Sequence, residues 1–194
     1  MLLSNERNKE LHKNESIVTK EIENIKLKDV KEGYKVPEEL RYLKPKNVLG
    51  KRKAKNIYKM PFADVENMRR RFNTPEGLID AMCVLFDCPE DLMLDYRIIQ
   101  FHHAANYLIS QIKRINDVER ATLSKPPKQD DVELGIRELD RFGALNILDR
   151  LGQEFGKSPE EVEQWPYGLI YSLMWKRRIE SDIEDARAEK LKNK

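Results

Sequence analysis

Apolar residues are not spread evenly along the 194-residue chain, and their spacing changes character at Pro61. Before it, apolar positions are sparse: Leu11, Ile17, Val18, Ile22, Ile25 and Leu27 stand among charged and polar neighbours. Val18, Ile22 and Ile25 follow helical spacing, but a short isolated helix carries its nucleation cost without packing. Residues 32–61 hold Gly33, Pro37, Pro45, Gly50 and Pro61 and read as an extended basic linker with one helical turn after Pro37. After Pro61 the pattern becomes helical. Phe62, Val65, Met68 and Phe72 share one face, opposite Glu66 and Arg69–Arg71. Thr74-Pro75-Glu76 starts the next helix with a cap, a proline at the first position and an early acid. That helix carries Leu78, Ile79, Met82, Cys83, Leu85 and Phe86 around much of its circumference, which marks it as central and buried.

Cys88-Pro89-Glu90-Asp91 restarts the chain, and residues 89–123 give the longest helical signal, with a break near Leu94-Asp95. Ile98, Phe101, Ala105, Leu108, Ile112 and Ile115 line its apolar face. Pro126-Pro127 is the clearest internal boundary. Beyond it, Val132, Ile136, Leu139 and Phe142 predict one short helix ended by Gly143. Leu145, Leu148, Leu151 and Phe155 predict another, ended by Gly156. Ser158-Pro159-Glu160-Glu161 is a capping box. A last helix starts at Trp165-Pro166 and uses Tyr167, Ile170, Leu173 and Met174, with fraying expected beyond 185. No segment alternates with period two between turn signals. The expected fold is all-α: two small helical subdomains with one long central helix, preceded by an extended basic N-terminal arm. The expected divisions are an arm and linker over 1–60, a central subdomain over 61–123, a C-terminal subdomain over 130–185 and a frayed tail over 186–194.

Charge sharpens this layout. The 36 Lys+Arg and 34 Asp+Glu leave +2 overall, but residues 1–60 carry +7, 61–129 carry −1 and 130–194 carry −4. Such asymmetry is read either as a solvated arm or as an interaction tail. No apolar run approaches the ~18 residues that a membrane span needs. The opening residues lack the apolar stretch of a secretory signal. Two cysteines provide no disulfide framework and suit a reducing compartment.

Candidate chemistry is thin. Cys83 and Cys88 stand five apart, and His102-His103 point about 100° apart on a helix, so neither pair completes a metal site. Glu90-Asp91, Asp130-Asp131 and Glu160-Glu161 each fall in a first helical turn, where the dipole favours acids. No phosphate loop, nucleophile elbow or zinc-protease motif occurs. The expectation is a protein that is not an enzyme, with no cofactor and no metal. Two stretches are candidate partner-binding sites. Lys51, Arg52, Lys53 and Lys55, with Tyr58 nearby, suit a solvated linker, an acidic protein or nucleic acid. Trp165, Tyr167, Tyr171 and Trp175 suit an interface or a staple for the last helix.

The stretch Gly135 to Gly143, then Ile147 to Leu151, Ser158-Pro159-Glu160-Glu161-Val162 and Trp165-Pro166-Tyr167, resembles small helical morphogenesis proteins of tailed bacteriophages. The middle unit, opening Pro61-Phe62-Ala63-Asp64-Val65, is similar to the helical region that precedes this stretch in such proteins. The resemblance covers residues 61–185. It implies a tail-assembly chaperone or minor virion structural protein that acts through helix faces and an arm. Its partners would be other virion or tail-assembly proteins and copies of itself, without a membrane, in the host bacterium's cytoplasm and in the virion. The basic linker keeps a second expectation open, a helical nucleic-acid-binding regulator.

Overall fold

A computed structural model describes residues 24–30, 38–127 and 129–192. Residues 1–23 of the arm, with Val18 and Ile22, lie outside the described residues; Ile25 is described, and its carbonyl accepts from the Ile98 N–H. The fold is mostly helical: α1 Phe62–Arg71, α2 Pro75–Phe86, α3 Glu90–Leu94, α4 Ile98–Leu123, α5 Gln129–Glu133, α6 Leu145–Phe155, α7 Pro159–Val162 and α8 Tyr167–Lys192. Short 3-10 turns cover Leu27–Asp29, Glu38–Tyr42, Ile57–Lys59 and Ile136–Phe142. One antiparallel pair, β1 Val48–Leu49 and β2 Arg52–Lys53, sets Val48 opposite Lys53 and Leu49 opposite Arg52. The chain forms two compact units. Among the described residues the first comprises 24–30, 38–55 and 67–113, and the second 56–66, 114–127 and 129–192. Pro126-Pro127 does interrupt the helices, but the units divide inside α1 and α4.

In the first unit, α2 starts as its sequence dictates. The Thr74 hydroxyl accepts from the Gly77 N–H at 3.1 Å, with Pro75 at the first position. The helix buries Met82, Leu85 and Phe86, and Asp87 ends it in the left-handed region at φ 50°. Met93 of α3 and Phe101, Leu108 and Ile112 of α4 are buried as well, and Ile98 joins a separate cluster with Leu40 and Leu43. The break between α3 and α4 is held by a strand-like contact: Leu27 N–H donates to the Tyr96 carbonyl at 3.0 Å, and Ile98 N–H to the Ile25 carbonyl at 2.9 Å.

The stretch 38–55 differs from the expected extended linker. Leu40, Leu43 and Leu49 are buried, with Leu40 and Leu43 packed against Ile98. Asn106 of α4 donates through Nδ2 to the carbonyls of Leu40 and Leu43 at 3.2 and 2.8 Å. His103 Nδ1 donates to the Lys44 carbonyl at 2.6 Å. The segment is therefore fixed by scattered leucines and by polar groups that satisfy its backbone, neither of which leaves a period in the sequence.

In the second unit, Ile57, Met60, Phe62, Val65, Ile115, Leu148, Leu151, Val162, Tyr167 and Ile170 are buried. The start of α1 and the start of α8 are tied by backbone bonds. Tyr167 N–H donates to the Met60 carbonyl at 2.8 Å, and Phe62 N–H to the Trp165 carbonyl at 2.9 Å. The Ser158–Glu161 capping box forms in full, and α6 ends at Gly156 with φ 63°. The helix expected over Val132 to Phe142 is split. Gly135 takes φ 87°, which ends α5 and starts the 3-10 segment Ile136–Phe142. The last helix runs on past the expected fraying point through residue 192. Lys125 Nζ bonds Asp182 at 2.9 Å and Asp185 at 2.6 Å, and Lys176–Glu180 adds an i,i+4 pair.

Candidate interaction surface

The basic run is divided between fold and surface. Arg52 donates to the Asp87 carbonyl, and Lys55 Nζ pairs with the Asp87 carboxylate at 2.9 Å. The Lys55 N–H also donates to the Leu85 carbonyl at 2.8 Å. Both cations therefore close the carbonyl end of α2, where the macrodipole and unpaired carbonyls favour positive charge. The Lys55 ammonium holds the Asp87 carboxyl below the usual range. Lys51 and Lys53 have no ion-pair partner among the described residues, which leaves two cations of the four for an external anion.

The aromatic residues form a row along α8. Tyr167 is buried and lies 5.8 Å from the Tyr58 ring and 6.3 Å from Phe62, the latter stacked at 12°. Tyr171 follows at 6.5 Å and Trp175 at 6.2 Å beyond it. The Tyr167 hydroxyl donates to Glu119 Oε1 at 2.5 Å, and the Tyr171 hydroxyl lies 3.1 Å from Thr122 Oγ1. Gly168 makes room for this arrangement, since a Cβ there would stand 2.9 Å from the Tyr58 carbonyl oxygen. Trp165 packs edge-on against Phe155 at 5.4 Å. The inner part of the row is thus a staple for α8, while Trp175 at its outer end is 45% exposed.

Sequence reasoning missed a cleft of about 630 Å³ within the second unit. Leu139, Ile147 and Met174 supply apolar walls, and Arg150, Arg177 and Arg178, with Asp149 as the acid among them, supply charge. Arg177 pairs with Glu154 and Arg178 with Asp182, whereas Arg150 has no ion-pair partner among the described residues. Burial, and then the neighbouring Arg150, lower the basicity of Arg177. The segment that supplies Leu139 also exposes Ile136 and Phe142, and Leu134 and Leu145 are exposed on either side of it. The helical spacing of Ile136, Leu139 and Phe142 was a signal, but it reads equally well as a face turned inward.

Such a surface can hold apolar side chains beside a carboxylate. Among the described residues no group of three or more His, Cys, Asp or Glu could hold a metal ion. Burial, then Cys88, pushes the Cys83 thiol up to about 11, which keeps it protonated and a poor nucleophile. Burial brings His102 down to about 4, so its ring is neutral at pH 7. Among the described residues no helix is long and apolar enough to cross a membrane. No family model matches the chain, and no curated protein or solved structure matches it either.

Proposed function

We propose that the chain is a non-catalytic assembly protein of a tailed bacteriophage, either a virion structural subunit or a tail-assembly chaperone. The observation that supports this reading is the set of large apolar side chains that the second unit leaves exposed, with Leu139 among them at a cleft whose Arg150 has no ion-pair partner among the described residues. Contiguous exposed apolar surface marks an interaction site more often than solitary exposed residues do. In this reading the two helical subdomains and the long central helix form the body, and the N-terminal arm laces onto neighbours. The cleft takes an apolar anchor of another virion or tail-assembly protein, with Arg150 set to meet an acid beside it. Assembly takes place in the host cytoplasm.

Mass spectrometry of purified particles, together with affinity capture from infected cells, tests this. A subunit is found in the particle; a chaperone is absent from it but captures a tail protein, and Leu139→Asp weakens that capture. Absence from the particle with no phage protein captured overturns the proposal. So does salt-sensitive retention on nucleic acid that is lost in Lys51→Glu/Lys53→Glu, which would assign the protein to nucleic-acid binding.

A further inference from the structure

We infer that the outward face of α8 is a pairing surface for the same helix of a second copy, arranged antiparallel about Ile179. At ~100° per residue, Ser172, Trp175, Ile179, Ile183 and Ala186 fall within about 80° of arc. Tyr167 and Ile170 point the other way, into the unit's own packing, and Met174 lines the cleft. Trp175, Ile179 and Ile183 are 45, 47 and 46% exposed, Trp175 with one side of its ring stacked on Tyr171. Trp175 ends the stacked row that begins at buried Tyr167, but a fold that buries Ile170 on one side of a helix gains little from two Ile on the opposite side unless something else packs there.

The order of residues along the face identifies the occupant. A two-fold axis through Ile179 levels Trp175 with Ile183 of the second copy, and Ser172 with Ala186. Each bulky residue then lies diagonally across from another, and each small one meets a small one at the ends. The axis keeps each flank of the seam on its own side. One flank carries Lys176 and Glu180, the other Arg178 and Asp182, with the base N-terminal to Ile179 and the acid C-terminal in both cases. Antiparallel pairing therefore brings Lys176 beside Glu180 of the second copy and Arg178 beside Asp182. Parallel pairing would bring like charges together. These pairs already close within one helix, Lys176–Glu180 at 3.3 Å and Arg178–Asp182 as well, and Lys125 also holds Asp182 at 2.9 Å. The apolar seam accordingly drives association, and the charges select its direction.

A seam from residue 172 to 186 is about 21 Å long at ~1.5 Å per residue. That is at the small end of specific interfaces, so the dimer is expected to dissociate in the range of tens of micromolar. Weak self-pairing of this kind becomes strong when several copies are held together. The inference deepens the assembly reading by naming one partner. It is tested on the purified chain, so its failure leaves the search for other partners untouched.

Sedimentation equilibrium on the full chain, with circular dichroism to check that each variant folds, provides the test. The wild type should dimerise, and Ile179→Asp should weaken the dimer by tenfold or more. Lys176→Glu/Arg178→Glu and Glu180→Lys/Asp182→Lys should each sediment as monomers, and mixing them should restore a dimer. A short bismaleimide should link Ile179→Cys to itself above the wild-type background, and should not link Ser172→Cys to itself. A wild-type monomer at several hundred micromolar, a dimer indifferent to Ile179→Asp, or efficient self-linking of Ser172→Cys would each overturn the proposal.

Discussion

The two units use their apolar residues in opposite ways. Among the described residues, the first buries sixteen hydrophobic side chains and leaves four large ones exposed, whereas the second buries ten and exposes eleven. The first is organised around α2, which is apolar on several sides, packs against α3 and is met at its carbonyl end by Arg52 and Lys55. In the second, helices are stapled by one aromatic row and by backbone bonds, and much apolar area is left over. The contrast separates residues that hold the fold from residues that are available to partners, since burial and availability exclude one another at a given side chain.

The comparison breaks most easily at its packed end. Phe86→Ala removes a ring that is fully enclosed in the first unit, and it should cost about 3–5 kcal/mol in urea or thermal unfolding. A loss below about 1 kcal/mol would show that this core is loose. Acid tests the same core through His102. Its ring is neutral in the folded chain with a pKa near 4, while the unfolded chain takes up the proton at 6.5. Stability from this group is complete above pH 6.5 and is lost as pH falls toward 4, by up to about 3 kcal/mol. His102→Gln should flatten that part of the pH profile, and an unchanged slope would place the ring in water.

In the second unit the expected effects are smaller and more local. Tyr167→Phe keeps the stacked ring but removes the hydroxyl that Glu119 accepts, for about 1–2 kcal/mol. Ser158→Ala opens the capping box of α7, for about 1 kcal/mol. Phe142→Ala should leave stability within about 0.5 kcal/mol, because that ring is 47% exposed. The same substitution should weaken any partner seated on this segment. If Phe142→Ala destabilises the chain as Phe86→Ala does, the two units are not different in kind.

Much of the helical layout was legible because its signals are local. Thr74-Pro75, Ser158-Pro159 with Glu161, and Gly156 each encode a helix end within four residues, and each forms as spelled. The interruption near residue 95 also lies where the pattern falters. What stayed hidden depends on distant parts of the chain. Leu40 and Leu43 look like stray residues in a charged linker until Asn106, more than sixty positions away, satisfies the carbonyls around them. Arg52 and Lys55 look like a phosphate site until Asp87 claims both at the end of α2. The aromatic stretch left interface and staple open, and the structure assigns Tyr167 to the staple while Trp175 is exposed. The cleft was illegible because an apolar repeat states which residues share a face, not whether that face is covered.

Hydrogen exchange of the purified chain, compared at about 2 and 200 µM on either side of the expected dissociation constant, tests the division of labour most directly. The account predicts that slowing with concentration is confined to peptides of the second unit, strongest over residues 172–186, with residues 67–113 unchanged. Slowing centred on the first unit, or no concentration dependence at all, would contradict it.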